Sequence, residues 1–283
     1  MIGSKTLRIG LAALALSAAA MPLHASERVV AIGGALAEIV YALGQADRLV
    51  GRDTTASYPP EIAALPDVGY MRALSPEGLL RLAPDLIIAD EGAGPPETID
   101  LMLRAEVPFI QIDAAFDEDG VLARIHGVAE ALEISEGGEA LAADVAARFA
   151  ALAQAREAID TPLRAMFILS AQGGRIMASG GNTAASGILA LAGVENAVTG
   201  FDGYRLLTDE AVAAAAPDAI IMMDRGGDHA LSDAQIIAHP ALGITPAGQA
   251  MRVVRMDGLF LLGFGPRTPD AALALMDALT GGN

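Results

Sequence analysis

Tyr70 is the residue of this sequence with the most specific chemistry to offer. The 283-residue chain has only four tyrosines, and Tyr70 lies between a proline-rich turn and a predicted helix, where it should be exposed. A phenolate is a hard anionic ligand that suits ferric iron, and tyrosine is among the side chains that ligate haem iron. The tyrosine pKa, near 10 when free, falls when a guanidinium lies beside the oxygen. The alternative interpretation is an ordinary aromatic residue that lines a cleft.

Three arginines belong to segments that are predicted to reach the same region. Arg72 comes two residues after Tyr70, Arg225 follows a predicted buried strand, and Arg267 ends the segment 262–267. Arg225 would face Tyr70 from the other half of the chain. Arg72 could pair with carboxylates of a ligand, because a guanidinium donates two parallel hydrogen bonds to a carboxylate. Arg267 could do the same or could only fix a turn.

Motifs of the common enzyme classes are missing. The turn after the first predicted strand has two glycines, Gly33 and Gly34, and not the three of a dinucleotide-binding loop. The sequence has no phosphate-binding loop that ends in Gly-Lys-Ser/Thr and no Gly-x-Ser-x-Gly motif. Asp90 and Glu91 could serve as acid and base, but adjacent acids after a buried strand are typical of a solvated loop. The sequence therefore favours a binding protein over an enzyme.

The histidines do not form the pattern of a zinc or manganese carrier. They are dispersed along the chain, at positions 24, 126, 229 and 239. A zinc site needs several histidine, cysteine or carboxylate ligands close together, and the chain has no cysteine. Transport of a bare metal ion is therefore the weaker alternative.

Two similar units position these residues. Segments that start at Leu74 and Leu207 share a capped helix, an Ala-Pro-Asp turn and an apolar run, at a constant offset of 133 positions. Upstream, the pair Gly69-Tyr70 matches Gly203-Tyr204 at an offset one longer. Ser75 and Thr208 are predicted to cap the two helices, and Glu77 and Glu210 to complete capping boxes. The apolar runs are typical of buried parallel strands.

A helical region separates the two units. Residues 117–132 are predicted to form one helix and residues 135–159 a longer one, with Gly137 and Gly138 as a candidate break near its start. We expect an α/β fold with two Rossmann-like lobes, each a parallel sheet flanked by helices, joined by one long rigid helix. The predicted boundaries are 26–134, 135–160 and 161–283, and the ligand cleft is expected between the lobes.

The first residues and the net charge limit the compartment and the partners. Lys5 and Arg8 precede an apolar run over residues 9–20, which predicts a cleavable signal peptide, residues 1–25, and export to the periplasm. The formal net charge of −17 argues against nucleic acid, which needs a basic surface. We expect a monomer without a lipid anchor, because no cysteine is available for lipid attachment.

The chain resembles the periplasmic haem-binding proteins of bacterial haem ABC importers. The resemblance covers nearly all of the predicted mature chain. It is strongest in five segments, which are residues 38–44, 65–72, 91–96, 222–227 and 261–267. The wider class, which includes vitamin B12 and ferric siderophore binders, shares the helix-linked two-lobe fold. Within it, the Gly-Tyr-Met-Arg and Met-Asp-Arg-Gly-Gly segments favour haem over a siderophore or a corrinoid.

The resemblance implies a role for each matching residue. Tyr70 would be the axial ligand of the haem iron, and Arg225 would lie beside it and favour the phenolate. With Met71, Arg72 and Arg267, these residues form the expected haem site. Glu77 and Glu210 would meet arginines of the permease dimer, one on each lobe. The segment 170–175 lacks the histidine with which some relatives hold a second haem, so we expect one haem per chain.

Overall fold

A computed structural model describes residues 27–113, 115–224 and 231–281, and these residues form two α/β lobes joined by a long helix. The predicted fold class is confirmed. The predicted signal peptide, residues 1–25, lies outside the described residues, as does Arg225. Of the helices in the described part of the chain, none is long and apolar enough to cross a bilayer.

The first lobe is built on a four-stranded parallel sheet in the order β2-β1-β5-β6. Its strands, with the separate β3–β4 hairpin, are β1 (Val29–Ile32), β2 (Leu49–Arg52), β3 (Gly69–Tyr70), β4 (Ala73–Leu74), β5 (Leu86–Asp90) and β6 (Phe109–Ile112). Its helices are α1 (Gly34–Ala42), α2 (Pro60–Ala63), α3 (Pro76–Arg81), α4 (Pro96–Arg104) and α5 (Glu118–Ala131). All four residues of β1 are buried, as expected when helices cover both faces of a parallel sheet.

The second lobe has a mixed sheet. Its strands are β7 (Arg164–Ser170), β8 (Ile176–Ser179), β9 (Glu195–Asn196), β10 (Tyr204–Leu207), β11 (Ala219–Asp224) and β12 (Val253–Asp257). Strands β9, β7, β11 and β12 are parallel, whereas β8 and β10 add an antiparallel extension to the edge of β7. Sequence analysis predicted the parallel part and did not predict this extension. The helices are α7 (Ala184–Leu191), α8 (Asp209–Ala215), α9 (Asp233–Ile237), α10 (Pro240–Gly243), α11 (Pro246–Gln249), α12 (Gly258–Leu262) and α13 (Thr268–Thr280).

The internal repeat is visible in the structure. Helix α3 and strand β5 of the first lobe correspond to helix α8 and strand β11 of the second. The Ser75 and Thr208 hydroxyls accept hydrogen bonds from the backbone N–H groups of Gly78 and Ala211, so both predicted caps are present. The predicted capping boxes are wrong. Glu77 and Glu210 occupy the second helical position, and the third, where a box needs an acceptor side chain, holds Gly78 or Ala211.

Helix α6 (Ser135–Arg156) joins the lobes and takes part in one shared core. Its buried residues Val145, Phe149 and Leu152 belong to a hydrophobic cluster that includes Val29 of the first lobe and Ala165 of the second. The candidate break in this helix is wrong, because α6 continues through both glycines. Gly138 is buried against α5, where a Cβ atom on it would lie 2.4 Å from the Cβ of Ala129. Its lack of a side chain lets α5 and α6 approach closely.

Candidate ligand-binding cleft

Tyr70 lies on a short hairpin that other parts of the first lobe hold in place. Its side chain is 48% exposed, as predicted from the sequence. Tyr70 pairs with Ala73 across the hairpin. The backbone on both sides is tied to the loop after β5, because the Gly94 N–H donates to Met71 and the Leu74 N–H donates to Gly94. The exposed phenol is therefore carried on a fixed backbone.

The turn before Tyr70 is held by an ion pair. Asp67 accepts a hydrogen bond from the Gly69 N–H at 2.7 Å and a second from Arg52 Nη1 at 2.7 Å. Arg52 also donates to the Ala63 carbonyl. Gly69 has φ near 101°, in the region that side-chain-bearing residues rarely adopt. Asp67 thus stabilises the turn that presents Tyr70.

Tyr204 of the second lobe lies across from this hairpin. It is 37% exposed and stands at the start of β10. Burial raises the pKa of the Tyr204 phenol, while hydrogen bonds with Thr183 and Ser179 offset part of the rise. The charge of Arg72 also lowers that pKa. The guanidinium of Arg72 therefore lies within electrostatic reach of the second lobe, so the exposed residues Tyr70 and Arg72 lie near the junction of the lobes.

Sequence reasoning passed over Tyr204 as a site residue. The signal was available, because the repeat pairs Gly203-Tyr204 with Gly69-Tyr70. Each lobe thus has one partly exposed tyrosine at an equivalent position of the repeat, and the phenol of Tyr204 is hydrogen-bonded within the second lobe.

Acidic side chains line a cavity where the two lobes meet. This cavity has a volume of about 580 Å³, and its polar lining includes Asp113 and Asp117 of the first lobe and Asn182 and Thr183 of the second. A hydrogen bond with Asp113, together with the negative charge of that residue, raises the pKa of the Glu91 carboxyl. The carboxylates in this region repel any further anionic group. A carboxylate of a ligand would therefore be better placed near Arg72.

The remaining predicted site residues have separate places. Met71 is half-buried and packs against the core of the first lobe. Arg225 directly follows β11 in sequence, outside the described residues. Arg267 donates to both carboxylate oxygens of Glu38 in the first lobe, so two of its donor nitrogens are already used within the protein.

Glu77 and Glu210 are exposed at the start of equivalent helices. The pKa of the Glu210 carboxyl is lowered by its own backbone N–H and by the Thr208 hydroxyl. Hydrogen bonds to the charged form stabilise that form. Glu210 is therefore held in its anionic state on the surface of the second lobe.

The described residues offer no site for a bare metal ion. Among them, no group of three or more histidine, cysteine, aspartate or glutamate side chains could hold one. His126 lies 3.8 Å from Glu139, and His239 caps α10 by accepting from the Ala241 N–H. His229 lies outside the described residues.

Comparison with known proteins gives one family and several close structures. Residues 29–258 match the family model described as periplasmic binding protein. The chain is similar to the periplasmic haem-binding protein BhuT, solved in complex with two haems, at 45% identity over 90% of this chain and 98% of that one, with a TM-score of 0.86. It is also similar to the periplasmic haem-binding protein RhuT from Roseiflexus sp. RS-1, solved in apo form, at 39% identity over 90% and 98% of the two chains, with a TM-score of 0.86.

Curated relatives match a shorter part of the chain. A vitamin B12-binding protein of Yersinia pestis is 31% identical over 102 residues, which is 36% of this chain and 36% of that protein. The match therefore spans about a third of the length of this relative.

Proposed function

We propose that this chain, which belongs to the periplasmic binding protein family, captures haem in the periplasm and delivers it to an ABC transporter of the inner membrane. The family and the solved relatives are binding proteins and not enzymes. The transported haem is the ligand, and the chain supplies the groups that hold and release it. We expect the protein to act as a monomer.

The observation that carries the proposal is the presentation of Tyr70. Its phenol is half exposed on a hairpin with fixed backbone, near the junction of the lobes, where Arg72 also lies. Such a phenol can reach an iron atom in the cleft without rearrangement of the lobe. Tyr70 as axial ligand and Arg72 as partner of a propionate would orient the porphyrin, with its carboxylates away from the acidic cavity of the lobe junction. Arg225 beside Tyr70 and Met71 against the ring stay predictions from the resemblance.

The relatives named as haem-binding proteins share more sequence with this chain, since BhuT and RhuT are 45% and 39% identical to it over 90% of its length, whereas the vitamin B12-binding protein BtuF of Vibrio cholerae is 23% identical over the same share. The Yersinia relative is named as a vitamin B12-binding protein, and its similarity spans 36% of this chain. A corrinoid is therefore the second candidate ligand, and a ferric siderophore the third.

Delivery would use the two surface glutamates. Glu77 and Glu210 lie at equivalent places of the repeat, one on each lobe. A permease dimer with two-fold symmetry would present two equivalent basic surfaces, so a matched acid on each lobe suits it. The acidic net charge of −17 would speed the encounter with such a surface.

The test is a titration of the protein without residues 1–25 with ferric haem, followed by visible absorbance. We expect saturation at one haem per chain and a high-spin spectrum with a phenolate-to-iron charge-transfer band. Tyr70→Phe should remove that band and weaken binding by about tenfold or more, which is about 1.4 kcal/mol or more. Tyr41→Phe is the matched control, because Tyr41 is also exposed but lies at the far end of α1.

Each result has a separate meaning. No saturable haem binding, with saturable binding of cyanocobalamin, would overturn haem in favour of a corrinoid. Binding with an unchanged spectrum in Tyr70→Phe would keep haem as the ligand and remove Tyr70 as its axial ligand. Saturation at two haems would overturn the expected stoichiometry and match the state in which BhuT was solved.

A further inference from the structure

Arg267 connects the two lobes through a partly buried ion pair. It stands at the start of α13, and its Nε and Nη2 atoms donate to Oε1 and Oε2 of Glu38 at 2.9 and 2.8 Å. Glu38 lies on α1 of the first lobe and is only 5% exposed. A carboxylate buried to this extent needs a partner to remain charged. Two parallel hydrogen bonds fix the direction of the guanidinium as well as its distance.

Aromatic rings from both lobes enclose the same guanidinium. Its central carbon lies 3.6 Å from the centroid of the Tyr58 ring in the first lobe and 5.1 Å from that of Phe260 in the second. Cations are attracted to the faces of such rings, most strongly where water is excluded. The contact therefore resists separation of the lobes as well as sliding between them.

The surrounding junction is closely packed. A Cβ atom on Gly34 would lie 2.5 Å from a Leu259 methyl carbon of the second lobe. A Cβ atom on Gly265 would be 3.5 Å from Ala35 of the first lobe. The two lobes are therefore in direct van der Waals contact beside the ion pair.

Two hydrogen bonds continue from this junction to the Tyr70 hairpin. The Gly34 N–H, at the start of the helix that carries Glu38, donates to the Thr55 hydroxyl at 2.9 Å. The neighbouring Thr54 N–H donates to the Gly69 carbonyl at 3.0 Å. A shift in the position of α1 would therefore be transmitted to Gly69, the residue next to Tyr70.

We propose that Glu38, Arg267 and Tyr58 form a lobe clamp that fixes the width of the cleft and thereby slows the release of haem. The proposal rests on haem as the ligand. Within it, Arg267 is a positioning residue that acts through Glu38, and it does not itself bind a propionate. The expectation from the resemblance that Arg267 belongs to the haem site is replaced by this role.

The first experiment measures lobe separation in the protein without haem. The chain has no cysteine, so spin labels can be placed at Leu103→Cys and Ile244→Cys, two exposed positions on different lobes. We expect one narrow distance distribution for the otherwise unchanged protein. Glu38→Gln and Arg267→Met should each broaden or shift it, and Arg267→Lys should restore it in part. Distributions that stay unchanged in both Glu38→Gln and Arg267→Met would overturn the clamp.

The second experiment measures how fast haem transfers to an excess of a haem-scavenging apoprotein. We expect release about tenfold faster in both Glu38→Gln and Arg267→Met, and no faster in the double variant, because one interaction is lost in each case. The charge-transfer band of bound haem should remain. Asp270→Asn is the matched control, since it breaks the more exposed 2.8 Å pair of Arg148 and Asp270 between α6 and α13. Circular dichroism must show that every variant is folded at the temperature used.

A different pattern would separate the two roles of Arg267. Faster release in Arg267→Met with unchanged release in Glu38→Gln would mean that Arg267 contacts haem directly, and would overturn the clamp. If the unchanged protein binds no haem, the proposed function fails, while the spin-label distances still decide whether the clamp holds the lobes.

Discussion

At the scale of single residues, the exposure of Tyr70 depends on groups that stabilise the backbone around it. The Asp67 carboxylate uses one oxygen for the Gly69 N–H and the other for Arg52. Tyr70 itself needs no partner in the protein for the proposed role, because the haem iron would complete its environment. The turn is therefore preorganised while the phenol stays available, which reduces the entropy lost when a ligand binds.

Asp67→Ala should disturb this turn without loss of the fold. We expect a destabilisation of about 1 kcal/mol, since hydrogen bonds to a partly exposed charged group contribute on that order. Haem should still bind, but with a weaker charge-transfer band, because the phenol would sample more positions. Urea unfolding and visible absorbance measure the two effects.

Asp85→Ala is the control for that substitution. Asp85 also accepts two backbone hydrogen bonds, from Glu27 and Arg28, but it lies just before β5, at the end of the sheet away from the hairpin. It should lower stability and leave the haem spectrum intact. Equal spectra for both variants would show that Asp67 does not position Tyr70.

The sequence predicted some residues of the site and not others, for physical reasons. The exposure of Tyr70 followed from local signals, namely a proline-rich turn before it and a capped helix after it. The partner of Arg267 could not be found in this way, because Glu38 lies 229 positions away and only the folded chain brings the two together. The prediction of capping boxes was wrong by one position, since Glu77 and Glu210 lie one residue before the position that such a box requires.

At the scale of elements, close packing of α5 and α6 explains one of the two glycines near the start of the linker helix. Only one of them serves that packing. Gly138 is buried against Ala129, whereas a Cβ atom on the exposed Gly137 would meet only Leu43, at 3.9 Å. Glycine inside a helix lowers the stability of the protein. The close packing of Gly138 compensates for this loss, whereas Gly137 makes no contact that would do so.

The substitutions Gly137→Ala and Gly138→Ala should act in opposite directions. Gly137→Ala should raise the free energy of unfolding by about 0.5–1 kcal/mol through helix propensity. Gly138→Ala should lower it by about 1–3 kcal/mol, because its methyl group would overlap a carbon fixed to the α5 backbone. Urea unfolding of the two variants is a direct comparison. Stabilisation by both would mean that the helices can separate freely.

The elements that the sequence predicted carry local signals, whereas those that it did not predict depend on contacts between distant parts of the chain. The helices α3 and α8 and the strands β5 and β11 carry caps, prolines and apolar runs within a few residues, and all four were predicted. The strands β8 and β10 are stabilised by pairing with each other and with β7. That pairing depends on the folded lobe, and short strands of this kind leave a weak pattern in the sequence.

At the scale of the whole molecule, the lobes behave as parts of one packed body. A single hydrophobic cluster runs from the first sheet through α6 into the second lobe. Arg124 adds a link, since it pairs with Asp90 at 3.3 Å and donates to the Phe264 carbonyl of the other lobe. Packed interiors resist continuous deformation, so we expect only small closure on binding. Recognition of the loaded state by a permease would then depend on surfaces that barely move.

Such a rigid body could dock through both lobes at once. This predicts how the loss of Glu77, of Glu210 or of both affects docking to the permease. Two contacts on one rigid body bind with the advantage of a high effective concentration, so loss of either should weaken docking and loss of both should abolish it. Haem binding should not change, because both side chains are exposed outside the cleft lining. Charge reversal to Lys, singly and together, tests this in proteoliposomes that contain the cognate permease.

Uptake of haem into such vesicles should fall several-fold in each single variant and by about a hundredfold in the double variant, if each contact contributes roughly 1–2 kcal/mol. The matched control is Glu136→Lys with Asp277→Lys, which changes the net charge equally on α6 and α13, two helices that are not copies of the docking helices. It should keep most of the uptake, with a modest loss from the weaker long-range attraction. Equal loss in the control would show that overall charge drives the encounter and that Glu77 and Glu210 have no special place in it. If only one of the two single variants lowers haem uptake, the permease contacts a single lobe. The symmetry of the repeat would then not be used for docking.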